Sequence, residues 1–191
     1  YVNLKSPGRF NIRRIPTVTF TANRGVVGNG TTGWLDPGFN PLTEGNIVYS
    51  LDSAHGGVWV RDNVALTAGE MGHGGSANVT RILSRTTGGA IQGIVNAAAG
   101  MNPAAADGSG HIVANRSAAA ATQLYRNAAS IATGTNASVA LPTSIRFMQF
   151  NGGSFSVKTL EFGHAGASLT SALVTSLYNA LDTFRTAVGG A

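Results

Sequence analysis

Cysteine is absent from this 191-residue chain, and charge is scarce. Without a thiol there is no disulfide, no thiolate metal site and no cysteine nucleophile. Charged residues make up only 11% of the sequence, against about 25% in ordinary domains. Aromatic residues are few, and no apolar run approaches the ~20 residues that span a bilayer as a helix, so no membrane span is expected. The sequence starts at Tyr1 rather than Met, which leads us to expect a processed N-terminus.

What the chain does have is 43% hydrophobic residues and an abundance of Gly, Ala, Ser, Thr and Asn. Disorder requires high charge and little apolar surface, so a folded chain is expected. Its length suits one domain. A surface so poor in charge points to cover by other copies of the same chain, that is, a homo-oligomer. A secreted domain with a Ser/Thr/Asn surface is the alternative.

The positive charge is unevenly placed. Lys5, Arg9, Arg13, Arg14 and Arg24 are the only charged side chains before Asp36, and they account for the whole net charge of +5. A terminal block of one sign reads as an arm for an anionic partner. We therefore assign residues 1–24 as a basic segment that contacts nucleic acid by charge, and residues 17–191 as one folded domain. Tyr1 and Phe10 lie among the cations and could stack on unpaired bases.

Periodicity suggests an α+β fold. Thr17–Ala22, Asn46–Leu51 and Gly57–Thr67 carry strand patterns. Ser144–Phe150 and Ser154–Phe162 flank Asn151-Gly152-Gly153, a hairpin signal. Apolar residues at steps of three and four predict a helix from Ala77 toward Ala99, broken at Gly88-Gly89, and another over Ser117–Thr133. A long amphipathic helix is expected over Ser168–Val188. Its stripe contains Leu169, Ala172, Leu173, Leu177, Ala180, Leu181, Phe184 and Val188.

Several motifs fail on context. Gly28-x-Gly30-x-x-Gly33 spells a dinucleotide fingerprint, but Pro37-Gly38 follows where a helix must open. Glu70-x-x-His73 has helical metal-site spacing in a glycine-rich stretch. His55, His73, His111 and His164 each adjoin glycine, which places them on loops. No cofactor or metal is expected. A carboxylate pair such as Asp52 and Asp62, or a histidine site, could serve a secreted hydrolase. Trp34 and Trp59 could form the aromatic patch of a ligand-binding or adhesion module. The function expected is a self-assembling subunit of coat or filament type, in a virion or extracellular assembly. A hairpin followed by a terminal helix is similar to small coat proteins of RNA viruses and phages, over this part of the chain alone.

Overall fold

A computed structural model describes residues 11–14, 17–44, 48–73 and 79–190. The chain is an antiparallel β-sandwich, not the α+β fold that periodicity suggests. One sheet has six strands in the order β1 (Arg13–Arg14), β4 (Leu35–Asp36), β12 (Ile145–Phe147), β6 (Met71–His73), β7 (Thr80–Leu83) and β8 (Gln92–Val95). The other has seven, in the order β11 (Ala129–Gly134), β10 (Ala121–Arg126), β9 (Gly110–Ala118), β5 (Ala54–Val60), β15 (Thr159–Gly166), β3 (Gly25–Val27) and β2 (Thr19–Thr21). Strands β13 (Gln149–Phe150) and β14 (Ser154–Phe155) form a small separate ribbon. The described helices are α1 (Pro41–Glu44) and α2 (Ser171–Ala187).

The two expected central helices are strands. Val79, Ile82 and Leu83, then Ile91, Ile94 and Val95, mimic helical spacing because strands β7 and β8 are apolar on both faces. A strand covered on both sides loses the alternation that identifies it. Within residues 117–133 the sequence turns at Asn127-Ala128, where φ is +49° and +66°. These are the positive angles a tight hairpin needs, and β10 and β11 pair across it. Strand expectations also shift. Residues 48–51 are not in a strand, and the second expected strand starts earlier and ends sooner, as β5. The Asn151-Gly152 turn is present, with φ of +53° and +67°, but its ribbon is short and the chain on either side enters different sheets.

The core lies between the sheets. Val58, Val60, Ile112, Ala114 and Leu124 from the seven-stranded sheet meet Leu35, Met71, Ile82, Val95 and Phe147 from the other. One buried ion pair crosses it: Lys158 Nζ lies 3.2 Å from Glu70 Oε1 and donates to Ser84 Oγ at 2.8 Å. Glu70 also accepts from the Ser84 N–H and from Ser156 Oγ. Burial drives the Glu70 carboxyl upward, and Lys158 opposes that shift. A buried pair with its hydrogen bonds completed ties the two layers in one register.

Candidate functional site

The outer faces of the two sheets differ, and each is built over a glycine. On the seven-stranded sheet, alternation sends His55, Gly57 and Trp59 of β5 outward, beside His111 and Val113 of β9 and Phe162 and His164 of β15. A Cβ on Gly57 would stand 2.1 Å from the His164 ring, so only glycine admits that ring. His164 Nδ1 lies 3.0 Å from His55 Nε2, and its Nε2 lies 2.8 Å from His111 Nε2. His55 Nδ1 reaches the Ala167 carbonyl at 2.5 Å. All four histidines sit on strands, not on the expected loops.

Helix α2 closes this face. Thr170 caps it by accepting from the Leu173 N–H, and Gly189, at φ +76°, ends it. Val174 is buried with Val113 and Tyr125. The Tyr178 ring lies parallel to Trp59, with centroids 5.4 Å apart, and the Arg185 guanidinium sits 4.9 Å from the Trp59 ring centre. Trp59 is only 4% exposed, so it is no part of a surface aromatic patch. The docking stripe is Val174, Tyr178 and Arg185, about one residue around from the expected one. Leu173, Phe184 and Val188 of the expected stripe are 52%, 47% and 38% exposed. A shallow recess of about 250 Å³ opens beside Trp59, Arg61, Tyr178 and Arg185. Its cations are already engaged: Arg61 bonds Glu161 and the Gly190 carbonyl, and Arg185 bonds Asp182 and the same carbonyl.

The histidine row is a chain, not a cage. His164 spends one nitrogen on each neighbour, so the three rings do not converge on one ion, and no metal-binding cluster occurs among the described residues. In the hydrogen bonds described, no carboxylate or hydroxyl joins the row to complete a nucleophile. Asp52 and Asp62 flank opposite ends of β5, whose seven residues alone span roughly 20 Å. A glycoside-cleaving pair needs about 5–9.5 Å. Glu70 faces Lys158, and His73 Nδ1 pairs with the Ser144 carbonyl, so the Glu70-x-x-His73 spacing builds no site. The glycine fingerprint is a turn in which Asn29 Oδ1 accepts from the N–H groups of Thr31, Thr32 and Gly33.

The outer face of the six-stranded sheet carries the other constellation. Its register sets Arg13 opposite Asp36, and Arg146 and Arg81 on either side of Gly72. Trp34 shares this face with Asp36 by alternation. The Arg146 guanidinium lies 3.9 Å from the Trp34 ring centre and donates to Gln149 Oε1 at 2.9 Å. Phe150 folds over Gly72, where a Cβ would stand 2.3 Å from its own, and Arg81 lies 5.3 Å from the Phe150 ring centre. Arg13 pairs with Asp36 at 3.1 Å. Arg81 has no hydrogen bond to its buried Nε and no ion-pair partner among the described residues. Burial lowers its guanidinium from the ordinary arginine value.

Of the basic residues marked in the sequence, Lys5 and Arg9 lie outside the described residues. Arg13 and Arg14 form β1, paired to β4 within the sheet, and Arg24 sits at the β2–β3 turn on the opposite sheet. The structure thus separates Arg24 from the other two. Arg81 and Arg146 were missed because they come from distant segments. Their local signal was an arginine flanked by apolar residues in a strand, as in Ile145-Arg146-Phe147.

No protein-family model and no curated protein sequence matches the chain. Solved structures do match in fold. A Trypanosoma rangeli sialidase aligns with a TM-score of 0.62 at 14% identity, over 88% of this chain and 29% of its own. A mutant of HCR/D aligns with a TM-score of 0.66 at 10% identity, over 89% of this chain and 46% of its own. Domain 4 of AbnA, a GH43 extracellular arabinanase from Geobacillus stearothermophilus solved with arabinotriose, aligns with a TM-score of 0.56 at 14% identity, over 89% of this chain and 84% of its own. The chain therefore spans less than a third of the sialidase, and the likeness is one of fold alone, an antiparallel β-sandwich.

Proposed function

We propose that this β-sandwich is a non-catalytic recognition module that binds an acidic saccharide on the outer face of its six-stranded sheet. The observation that carries this reading is Arg81, a half-buried guanidinium with no ion-pair partner among the described residues, set against Phe150 and in line with the Trp34–Arg146 stack. A buried charge without a partner is costly, and a ligand carboxylate or sulfate would supply two charge-assisted hydrogen bonds in the planar geometry guanidinium prefers. Aromatic rings beside the guanidinium groups suit the apolar faces of sugar rings. The fold likeness to AbnA domain 4, solved with arabinotriose, supports a saccharide as the class of partner.

Calorimetric titration tests it. Heparin-derived and oligogalacturonate oligosaccharides are expected to bind, and arabinotriose, which is neutral, to bind at least about tenfold more weakly, a difference of about 1.4 kcal/mol. Arg81→Gln is expected to remove the preference. Equal binding of acidic and neutral probes by the native chain contradicts the reading, and tighter binding of an RNA homopolymer would return the face to nucleic acid.

A second reading, the self-associating subunit, is favoured by the exposed apolar residues Leu173, Phe184 and Val188 along α2. Light scattering across a concentration series tests it: a particle larger than one chain supports it, and a single-chain mass at all concentrations opposes it.

A further inference from the structure

The pairing registers of the six-stranded sheet bring one residue from each of five strands into a single row on its outer face. Arg13 of β1 stands opposite Asp36 of β4. Phe147 of β12 faces Leu35 of β4, and one antiparallel step sets Arg146 level with Asp36. Arg146 is opposite Gly72 of β6, and Gly72 is opposite Arg81 of β7. Residues directly opposite one another point to the same face. The next position is Ile94 of β8, which is 2% exposed and packs against Gly100. The row is therefore closed at β8 and open at β1, an edge strand of the sheet among the described residues.

We propose that this row reads a saccharide chain laid across the strands, in which an acidic sugar alternates with a neutral one. The inference rests on the reading of this face as a saccharide site and specifies its ligand. Neighbouring strands lie about 4.8 Å apart, so the arginines at the first, third and fifth positions recur every ~9.5 Å and span about 19 Å. A linked pyranose ring advances a saccharide chain by close to one strand spacing. Every second sugar therefore meets a cation.

The positions between the cations disfavour a charge on every sugar. At the second stands Asp36, whose carboxylate repels an anion and accepts from a hydroxyl. It already receives the Gly38 N–H at 2.8 Å and Arg13 at 3.1 Å. At the fourth is Gly72, which offers no side chain and lies under the Phe150 Cβ. Each arginine thus takes an acidic sugar, and the sugars between are selected neutral. Arg146 is the anchored cation, stacked on Trp34 and bonded to Gln149. Arg13 is the adaptable one: its side chain is 77% exposed, and an exposed ion pair such as Arg13–Asp36 is weak enough to be shared with a ligand. Arg81 takes the acidic group at the closed end.

Calorimetric titration with two hexasaccharides tests the spacing. Hyaluronan carries a carboxylate on every second ring, and oligogalacturonate carries one on every ring. The hyaluronan hexasaccharide is expected to bind the native chain at least about threefold tighter, although it has half the charge. Attraction to net charge alone gives the reverse order. Shortening hyaluronan to a disaccharide, which meets a single arginine, is expected to weaken binding at least about tenfold. Asp36→Asn is expected to narrow the ratio between the two hexasaccharides, by raising galacturonate binding more than hyaluronan binding. An unchanged ratio in that variant overturns the alternating row. Should the variant not fold, the native chain decides. Galacturonate bound as tightly as hyaluronan, or tighter, overturns the row and leaves the saccharide reading of the face standing. If neither acidic hexasaccharide binds, both fall together.

Discussion

The two outer faces of this sandwich start from the same device and end as opposites. Each sets a residue close over a glycine, the His164 ring over Gly57 and the Phe150 Cβ and backbone over Gly72. On the seven-stranded sheet the chain supplies its own cover, with three imidazoles linked in a row and Arg61 and Arg185 paired with Glu161 and Asp182. On the six-stranded sheet the cover is partial and guanidinium ions lie on it, one of them without an ion-pair partner among the described residues. A face whose cations are paired within the chain needs no further partner for charge. The face with an unpaired cation among aromatic rings is the one we propose for a ligand.

The comparison can be broken in several places, from the largest effect downward. Lys158→Met strands the Glu70 carboxylate in the shared core; a loss of about 3–5 kcal/mol is expected by urea unfolding, with both faces failing together. Gly57→Ala drives a methyl into the His164 ring and is expected to cost about 1–3 kcal/mol and detach α2, read as loss of the Trp59–Tyr178 contact, while acidic saccharide binding survives.

Acid should separate the faces next. Folded His111 and His164 stay neutral where the unfolded chain, near the ordinary histidine value of about 6.5, takes up protons. The unfolded state then binds more protons, so stability is complete above about pH 6.5 and falls between there and about pH 4. Thermal unfolding across that window measures the decline, and replacing His111 with Phe should flatten it. Arg81→Gln should change stability by no more than about 1 kcal/mol, since only the contact with the Phe150 ring is lost, yet weaken acidic saccharides about tenfold. Leu173→Ser is the mildest: stability within about 0.5 kcal/mol, with any change confined to association on dilution.

Legibility in the sequence followed the physics of each segment. The terminal helix could be read because one side of α2 meets solvent and keeps its periodicity. The Asn151-Gly152 turn could be read because positive φ angles leave a compositional mark. Strands β7, β8 and β9 could not, because cover on both sides erases alternation. The histidines were taken for loop residues because each adjoins glycine. In the fold, Gly57 makes the hollow that His164 fills, and Gly110 precedes His111 in an extended strand. The arginine face was out of reach for another reason: Trp34, Gly72, Arg81, Arg146 and Phe150 become neighbours only through strand register. Charge counting drew attention to the N-terminal cations, of which Arg13 is held by Asp36.

The chain has two tryptophans, one on each face, and their indole N–H signals can be followed separately. Titrating the labelled chain with an acidic oligosaccharide at neutral pH tests the division between an open and a closed face most directly. The Trp34 indole and the Arg81 side chain are expected to shift with ligand while the Trp59 indole stays in place. A shift at Trp59 with Trp34 unmoved would contradict that division.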